Sequence, residues 1–233
     1  RGTVTTIFGD TADGAIRSVH ATYSAARAGS ALAVISAGIS EDGRVGPFLN
    51  TGAGGFFCYE SFFAFDTSAI DDTDNVTSVT LEMVIRSRSL DNDFTVEVRA
   101  YDWGESVTTS DWVAGDSLGT FDLVASATAS SGTIGGYQTF TSEPAFLTTP
   151  NLKTGFVRLL VNSSRHRLGQ APPSNFDDEL ITYYTADQAG TLSDFRFVKD
   201  NLLENSGEII FVLTKSDLAG DAEELQEIIE VLR

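Results

Sequence analysis

Residues 56–84 read FFCYESFFAFDTSAIDDTDNVTSVTLEMV, and their reading decides the fold. An aromatic run comes first, then a turn rich in Asp, Asn and Thr, then a stretch in strict alternation. There Val79, Leu81, Met83 and the following Ile85 fall on one face, while Thr80, Glu82 and Arg86 fall on the other. That period of two marks a half-buried strand. In the aromatic run Phe63 and Phe65 point one way and Phe62 and Ala64 the other. A strand apolar on both faces is central to its sheet or shielded by a neighbouring element. The pair predicts the core of a β-sandwich.

Downstream, residues 87–93 form a turn and residues 94–101 alternate again, with Phe94, Val96, Val98 and Ala100 inward. Short polar turns between successive strands imply antiparallel pairing. Further strands are predicted at 121–127, 137–141, 156–161 and 180–185, with a loop at 130–136 and proline turns at Pro144 and Pro150. Eight or more short strands without a repeated helical segment predict an all-β, antiparallel, jelly-roll-like β-sandwich. Upstream, residues 3–8 form a β-like run before the turn GDTADG, so residues 1–19 read as an N-terminal arm or edge strand. Residues 21–36 are small and read as extended structure broken at Gly29 and Ser30. Residues 37–55 hold six glycines and a proline and read as a long surface loop. The sandwich domain then covers 20–200, and 201–233 form a short C-terminal strand and helix extension. Its strand is EIIFVLT at 208–214, and beyond Gly220 the spacing of Leu225, Ile228, Ile229 and Leu232 predicts an amphipathic helix. Asp221 with Glu224 resembles a capping box at its start. The apolar stripe requires a cover, either the sandwich or a neighbouring subunit.

The 233 residues carry 33 acidic against 15 basic side chains, a formal net charge of −18. The pI is near 4.2. A surface this negative repels phosphate, which argues against a nucleic-acid partner. Three of the basic residues are lysines, Lys153, Lys199 and Lys215; low Lys with high Asp and Thr fits a high-salt or marine source. Cys58 is single, so an intramolecular disulfide and a paired-thiol metal site are excluded, and its place in the aromatic run predicts core packing. No run approaches the ~20 apolar residues of a membrane helix, and no membrane partner is expected. The sequence opens at Arg1 without Met or a signal-peptide pattern, which reads as a fragment, a processed form or an incomplete chain.

Four stretches form one pattern along the chain: HATYSAARAG (20–29), ESFFAFDTSAIDDTDNVTSVTLEM (60–83), VRAYDWGESVTTSDWVAGD (98–116) and ITYYTADQAGTLSD (181–194). They resemble a recurrent β-sandwich module of bacterial surface proteins and phage virion proteins, related to the DNRLRE-type carbohydrate-binding modules. The resemblance spans roughly residues 20–200. It implies a sandwich fold used as virion decoration, fibre, adhesin or sugar-binding appendage. Phe195 stands where that module commonly has Pro, and residues 200–233 lie outside the pattern.

Candidate sites follow from residue chemistry. IIFVLTKSDL at 209–218 is similar to the guanine-specificity loop of a GTPase, with Lys215 and Asp217 in the base-reading places, but the chain has no GxxxxGK[ST] phosphate cradle, and a strand with a polar turn is the plain alternative. His20 and His166 sit in no nucleophile motif and read as turn or surface residues. Acidic clusters at Asp71, Asp72 and Asp74, at Asp91 and Asp93, and at Asp177, Asp178 and Glu179 admit a structural Ca²⁺, against solvated turn carboxylates. A glycosidase pair would need facing carboxylates at a set separation. Tyr101, Trp103, Trp112 and Tyr137 form a candidate glycan-stacking platform, against rings packed over one end of the sandwich. Asn75 and Asn162 lie in sequons. No cofactor is implied. Two functions are expected from these features: a non-enzymatic structural virion protein, homo-oligomeric and bound to other virion proteins, or a carbohydrate-binding module of a secreted or cell-surface protein that recognises a surface glycan.

Overall fold

A computed structural model describes residues 3–7, 9, 12–35, 43–153, 155–174, 178–185 and 208–212. The strands are β1 (Thr3–Thr6), β2 (Gly14–His20), β3 (Leu32–Val34), β4 (Gly43–Asn50), β5 (Gly55–Asp66), β6 (Asn75–Leu90), β7 (Thr95–Ala100), β8 (Leu123–Thr128), β9 (Tyr137–Ser142), β10 (Phe156–Ser163), β11 (Glu179–Tyr183) and β12 (Glu208–Val212). Two short helices, α1 (Tyr23–Ala28) and α2 (Ser164–Leu168), lie between them.

The 16-residue β6 determines the architecture. Residues 81–84 pair with β9 and residues 85–90 with β11. The ladders then run from β11 through β4, β5, β10, β7 and β8 to β9 and so return to β6, all of them antiparallel. The all-β class is as expected, but the eight strands close into a barrel, which corrects the jelly-roll-like sandwich. A single long strand joins what a sandwich leaves as two separate sheets, and closure removes their edges.

The two apolar faces of β5 now have their reason. Phe63 and Phe65 enter the barrel interior beside Val45, Met83, Val98, Phe140, Leu159 and Ile181. Phe62 and Ala64 point out, with Leu160, and are covered by Ile16 of β2 and by Trp103, Val113 and Leu118 from the segment 101–121. Burying a large apolar side chain is worth about 1.5–3 kcal/mol, so β5 stabilises both layers. Of the two alternatives for such a strand both hold: β5 lies between β4 and β10, and this cover shields its outer face and continues over Cys58 with Tyr23 and Ala26 of α1.

Three local expectations are corrected. Residues 23–28 are helical rather than extended, because Gly29 at φ 90° closes α1 with its N–H on Ala26 and the Ser30 N–H on Ala25. A Cβ on Gly29 would stand 2.6 Å from the Trp112 ring. Within the glycine-rich 37–55 region, Gly43–Asn50 are strand rather than loop: β4 pairs with β5 and β11. Its Gly46, at φ 120°, lies where a Cβ would come within 1.8 Å of the Glu179 carbonyl oxygen, so here glycine permits close backbone approach. Residues 164–168 form α2, so His166, expected as a turn or surface residue, lies in a helix.

At the chain's two ends, β12 pairs in parallel with residues 75–80 of β6, and β1 pairs in parallel with β12. The strand predicted at 208–214 thus exists over Glu208–Val212. The stripe Leu225, Ile228, Ile229 and Leu232, like Lys215 and Asp217, lies outside the described residues. Among the described residues no helix is long and apolar enough to cross a membrane.

Candidate functional site

Strand register builds a charged layer on the outer face of the barrel. Asn162 of β10 stands opposite Glu97 of β7, and Leu160 opposite Arg99. On the other side, Val161 opposite Ser61 brings Glu60 of β5 into line with Asn162. All four polar members of this layer, Glu60, Glu97, Arg99 and Asn162, are buried. Buried charge is costly unless it is paired and hydrogen-bonded.

The pairing comes from α2, sequence SRHRL. Ser163 caps its start by accepting the Arg165 N–H at 3.1 Å, and Gly169 at φ 69° ends it. The three consecutive basic residues each meet a different strand's carboxylate. Arg165 pairs with Glu179 of β11, whose other oxygen accepts from Asn92 Nδ2 at 2.9 Å. Arg167 donates to both oxygens of Glu97 at 2.7–3.0 Å. His166 Nδ1 lies 3.4 Å from Glu60 Oε1.

Glu97 is the hub. It also accepts from Arg99 Nη2 at 2.7 Å and from Asn162 Nδ2 at 3.1 Å. Burial alone would push its pKa up, but the hydrogen bonds from Arg167, Arg99 and Asn162 outweigh that and hold it below the ordinary value. Glu97 is therefore an anion inside the protein.

Glu60 and His166 behave differently. Both are fully enclosed, with side chains 0% and 1% exposed. Burial raises the Glu60 pKa well above the ordinary value against a single opposing hydrogen bond from the Val113 N–H at 3.0 Å. Burial pushes His166 down to about 4. His166 Nε2 lies 3.2 Å from the Arg27 carbonyl oxygen; a carbonyl only accepts, so Nε2 carries the proton and Nδ1 presents its lone pair to Glu60. The pair is thus a carboxylic acid facing a neutral imidazole. Arg27 of α1 closes the arrangement by donating to the carbonyls of His166 and Arg167, the latter at 2.6 Å, and by pairing with Asp116 at 2.7 Å.

Such a pair can move a proton between two atoms, and both side chains are closed to solvent. A general base needs its reacting partner within hydrogen-bond reach, and here Trp112, with its ring centroid 5.2 Å from the imidazole, covers it. His166, expected as a turn or surface residue, is a buried member of this layer.

The residues singled out from sequence are dispersed. Trp103 is 4% exposed, edge-on to Phe62 at 6.2 Å and beneath the Arg158 guanidinium at 5.6 Å. Trp112 is half-buried on His166, and Tyr101 is half-buried against Phe121 at 4.9 Å. Tyr137 stands apart, opposite Val84 on the β6–β9 ladder. Three of the four rings thus belong to the cover and the fourth to another part of the barrel. Asp71 and Asp74 close their own turn: Asp71 accepts from the Thr73 N–H at 2.8 Å and hydroxyl at 2.6 Å, and Asp74 from the Asp71 N–H at 3.2 Å. The bonds from Thr73 hold the Asp71 carboxyl below its usual range. The Lys153 ammonium occupies the carbonyls of Asp72 and Asp74 at 2.6 and 3.0 Å. Among the described residues no group of three or more His, Cys, Asp or Glu is placed to hold a metal. Asp93 caps the neighbouring loop through Ser130, Asp91 accepts from the Asp178 N–H, and Asp177 lies outside the described residues. His20 is exposed beside Thr22. Asn162 is fully buried, so its sequon is closed in the folded chain, whereas Asn75 is exposed.

What sequence reasoning passed over is the layer itself. Its signals were a glutamate inside an apolar strand, FFCYESFF, and a basic triplet directly after another, FVRLLVNSSRHR. No family model matches the chain, and no curated protein matches it.

Proposed function

We propose that the chain is a non-enzymatic structural protein of a virion, such as a head decoration, spike or tail-fibre subunit, that assembles as a homo-oligomer through its terminal segments. The observation that carries this reading is the parallel β1–β12–β6 ladder, which draws both ends of the described chain onto one strand of the barrel. Pairing along an added strand is a general mode of protein association. The enclosure of the Glu60–His166 pair supports the non-enzymatic part, because the strongest acid–base arrangement among the described residues is shut from solvent. Light scattering on the full chain and on a chain ending at residue 207 tests it. A closed oligomer that dissociates on truncation is the expected result; a full-length monomer would sink the reading.

A second reading, glycan recognition at a bacterial or viral surface, is favoured by one place. Half-buried Tyr101 and Phe156 line a small cleft with Asp102 and Arg158, and it adjoins, through Thr149 and Asn151, a shallow cleft of about 330 Å³ lined by Leu147, Leu152 and Lys153. Binding across a glycan panel that is lost in Phe156→Ala distinguishes the two readings.

A further inference from the structure

The Glu60–His166 pair has no task in the assembly reading, yet it stands where two cover elements meet. The Arg27 carbonyl receives His166 Nε2–H from α2 and the Gly115 N–H at 3.1 Å from the 101–121 segment. Glu60 receives the Val113 N–H from that same segment. Two elements that share no ladder with each other therefore meet at this cluster, beside the Arg165–Glu179 and Arg167–Glu97 pairs that also tie α2 to the barrel.

The charges around the pair are already engaged by other partners. From α1, Arg27 is matched by Asp116 of the covering segment. On α2, Arg165 and Arg167 are matched by Glu179 and Glu97. Beneath α2, β7 offers Arg99, already on Glu97, β10 offers the neutral Asn162, and the Arg44 guanidinium of β4 lies over the Tyr59 ring at 5.9 Å. β5 adds Cys58 and α1 adds Tyr23, both kept protonated by burial. Glu60 Oε1 and His166 Nδ1 have no hydrogen-bond partner apart from this facing approach. A charge added to the pair meets no free counter-ion, and the guanidinium of Arg27 is its near neighbour.

We propose that Glu60 and His166 form a proton-gated latch: the single proton between them keeps α2 and residues 112–116 docked on the barrel, and a second proton taken up on acidification releases them while the barrel stays closed. The incoming proton comes from solvent and lands on His166 Nδ1. Glu60 remains a carboxylic acid, so the product is an imidazolium without a buried counter-charge. Undocking hydrates that cation and removes it from Arg27. The barrel interior is formed by apolar side chains and does not respond in the same way.

The sign follows from burial. His166 is pushed down to about 4 when docked and returns to about 6.5 once hydrated. That shift taken alone weakens docking as pH falls from about 6.5 to about 4, by up to about tenfold per pH unit. Glu60, raised when docked, acts the other way: its contribution is complete below about pH 4.5 and is lost as pH rises toward its shifted value, so it offsets His166 between about pH 4.5 and 6.5 and the net release on acidification comes below about pH 4.5.

The test is an NMR titration of the full chain from pH 7 to 3.5, following the His166 ring nitrogens, the Trp112 indole and the backbone amides, with far-UV circular dichroism alongside. The expected result is a neutral Nε2–H imidazole at pH 7 that protonates in the same step in which the Trp112 signal moves and the α2 amides lose protection, with barrel amides such as Val98 and Leu159 unchanged. His166 titrating near its ordinary value without a change at Trp112 overturns the latch. So does loss of barrel and cover together. His166→Gln should lack the acid step, and a step that survives this substitution also overturns the proposal; the wild-type titration decides whether or not that variant folds.

Discussion

The interior of the barrel and its outer cover stabilise the same strands by opposite means. Phe63, Met83, Val98 and Leu159 are held inside by size and shape alone, whereas Glu60, Glu97, Arg99 and Asn162 lie on the outer face of neighbouring positions and are held by matched partners. Apolar packing is non-directional and tolerates any neighbour of the right volume. A buried ion network fails when one member is lost. The contrast teaches that β5, β7 and β10 are two-sided: one face is specified by volume and the other by charge pairing.

Four substitutions or conditions sharpen that contrast. Phe63→Ala should cost about 3–5 kcal/mol in urea denaturation, because the fully buried ring leaves a cavity. Glu97→Ala should cost a similar amount, about 3–5 kcal/mol, since Arg99 is left buried without its counter-charge. The two differ in how they are rescued: adding Arg99→Met and Arg167→Leu to a Glu97→Leu chain should recover most of the loss, whereas no polar replacement rescues the interior. If that triple variant is no more stable than Glu97→Ala, charge pairing is not what holds the cover.

A smaller effect should appear with pH. Glu97 is held below its ordinary value, so its contribution is complete above about pH 4.5, the unfolded value, and is lost as pH falls through the folded one. Glu97→Gln should therefore flatten the acid limb of a stability–pH profile, measured as the denaturation midpoint from pH 7 to 3. Smallest of all, Asp116→Ala should change stability by less than about 1 kcal/mol. Its side chain is 89% exposed, and Arg27 keeps its two carbonyl partners without it.

The interior half of this arrangement was legible in the sequence. Alternation over β6 and β7 placed Leu81, Met83, Val96 and Val98 inward, and the two apolar faces of β5 marked it as a central or shielded strand. Closure was not legible, because it depends on β6 meeting both β9 and β11, pairings between residues far apart in the chain. β4 was hidden by its glycines, which signal a turn in isolation but here let β11 approach. The helix α2 carried its own end signals in Ser163 and Gly169, yet five residues are too few to show a helical period. The charged layer was hardest to see: each carboxylate and its basic partner come from different elements, and only register joins them.

The parallel ladder at β6 sets an order of events in synthesis. Strands β4 to β11 can meet their barrel partners once residues up to Tyr183 are available, through turns and ladders of modest span. β1, made before the other described strands, reaches its place only through β12, with Thr3 opposite Ile209. Contacts across so long a loop form late, since the closure entropy must be met before the contact returns any stability. The earliest of the described strands is thus among the last to be seated, and its backbone groups wait until β12 has emerged.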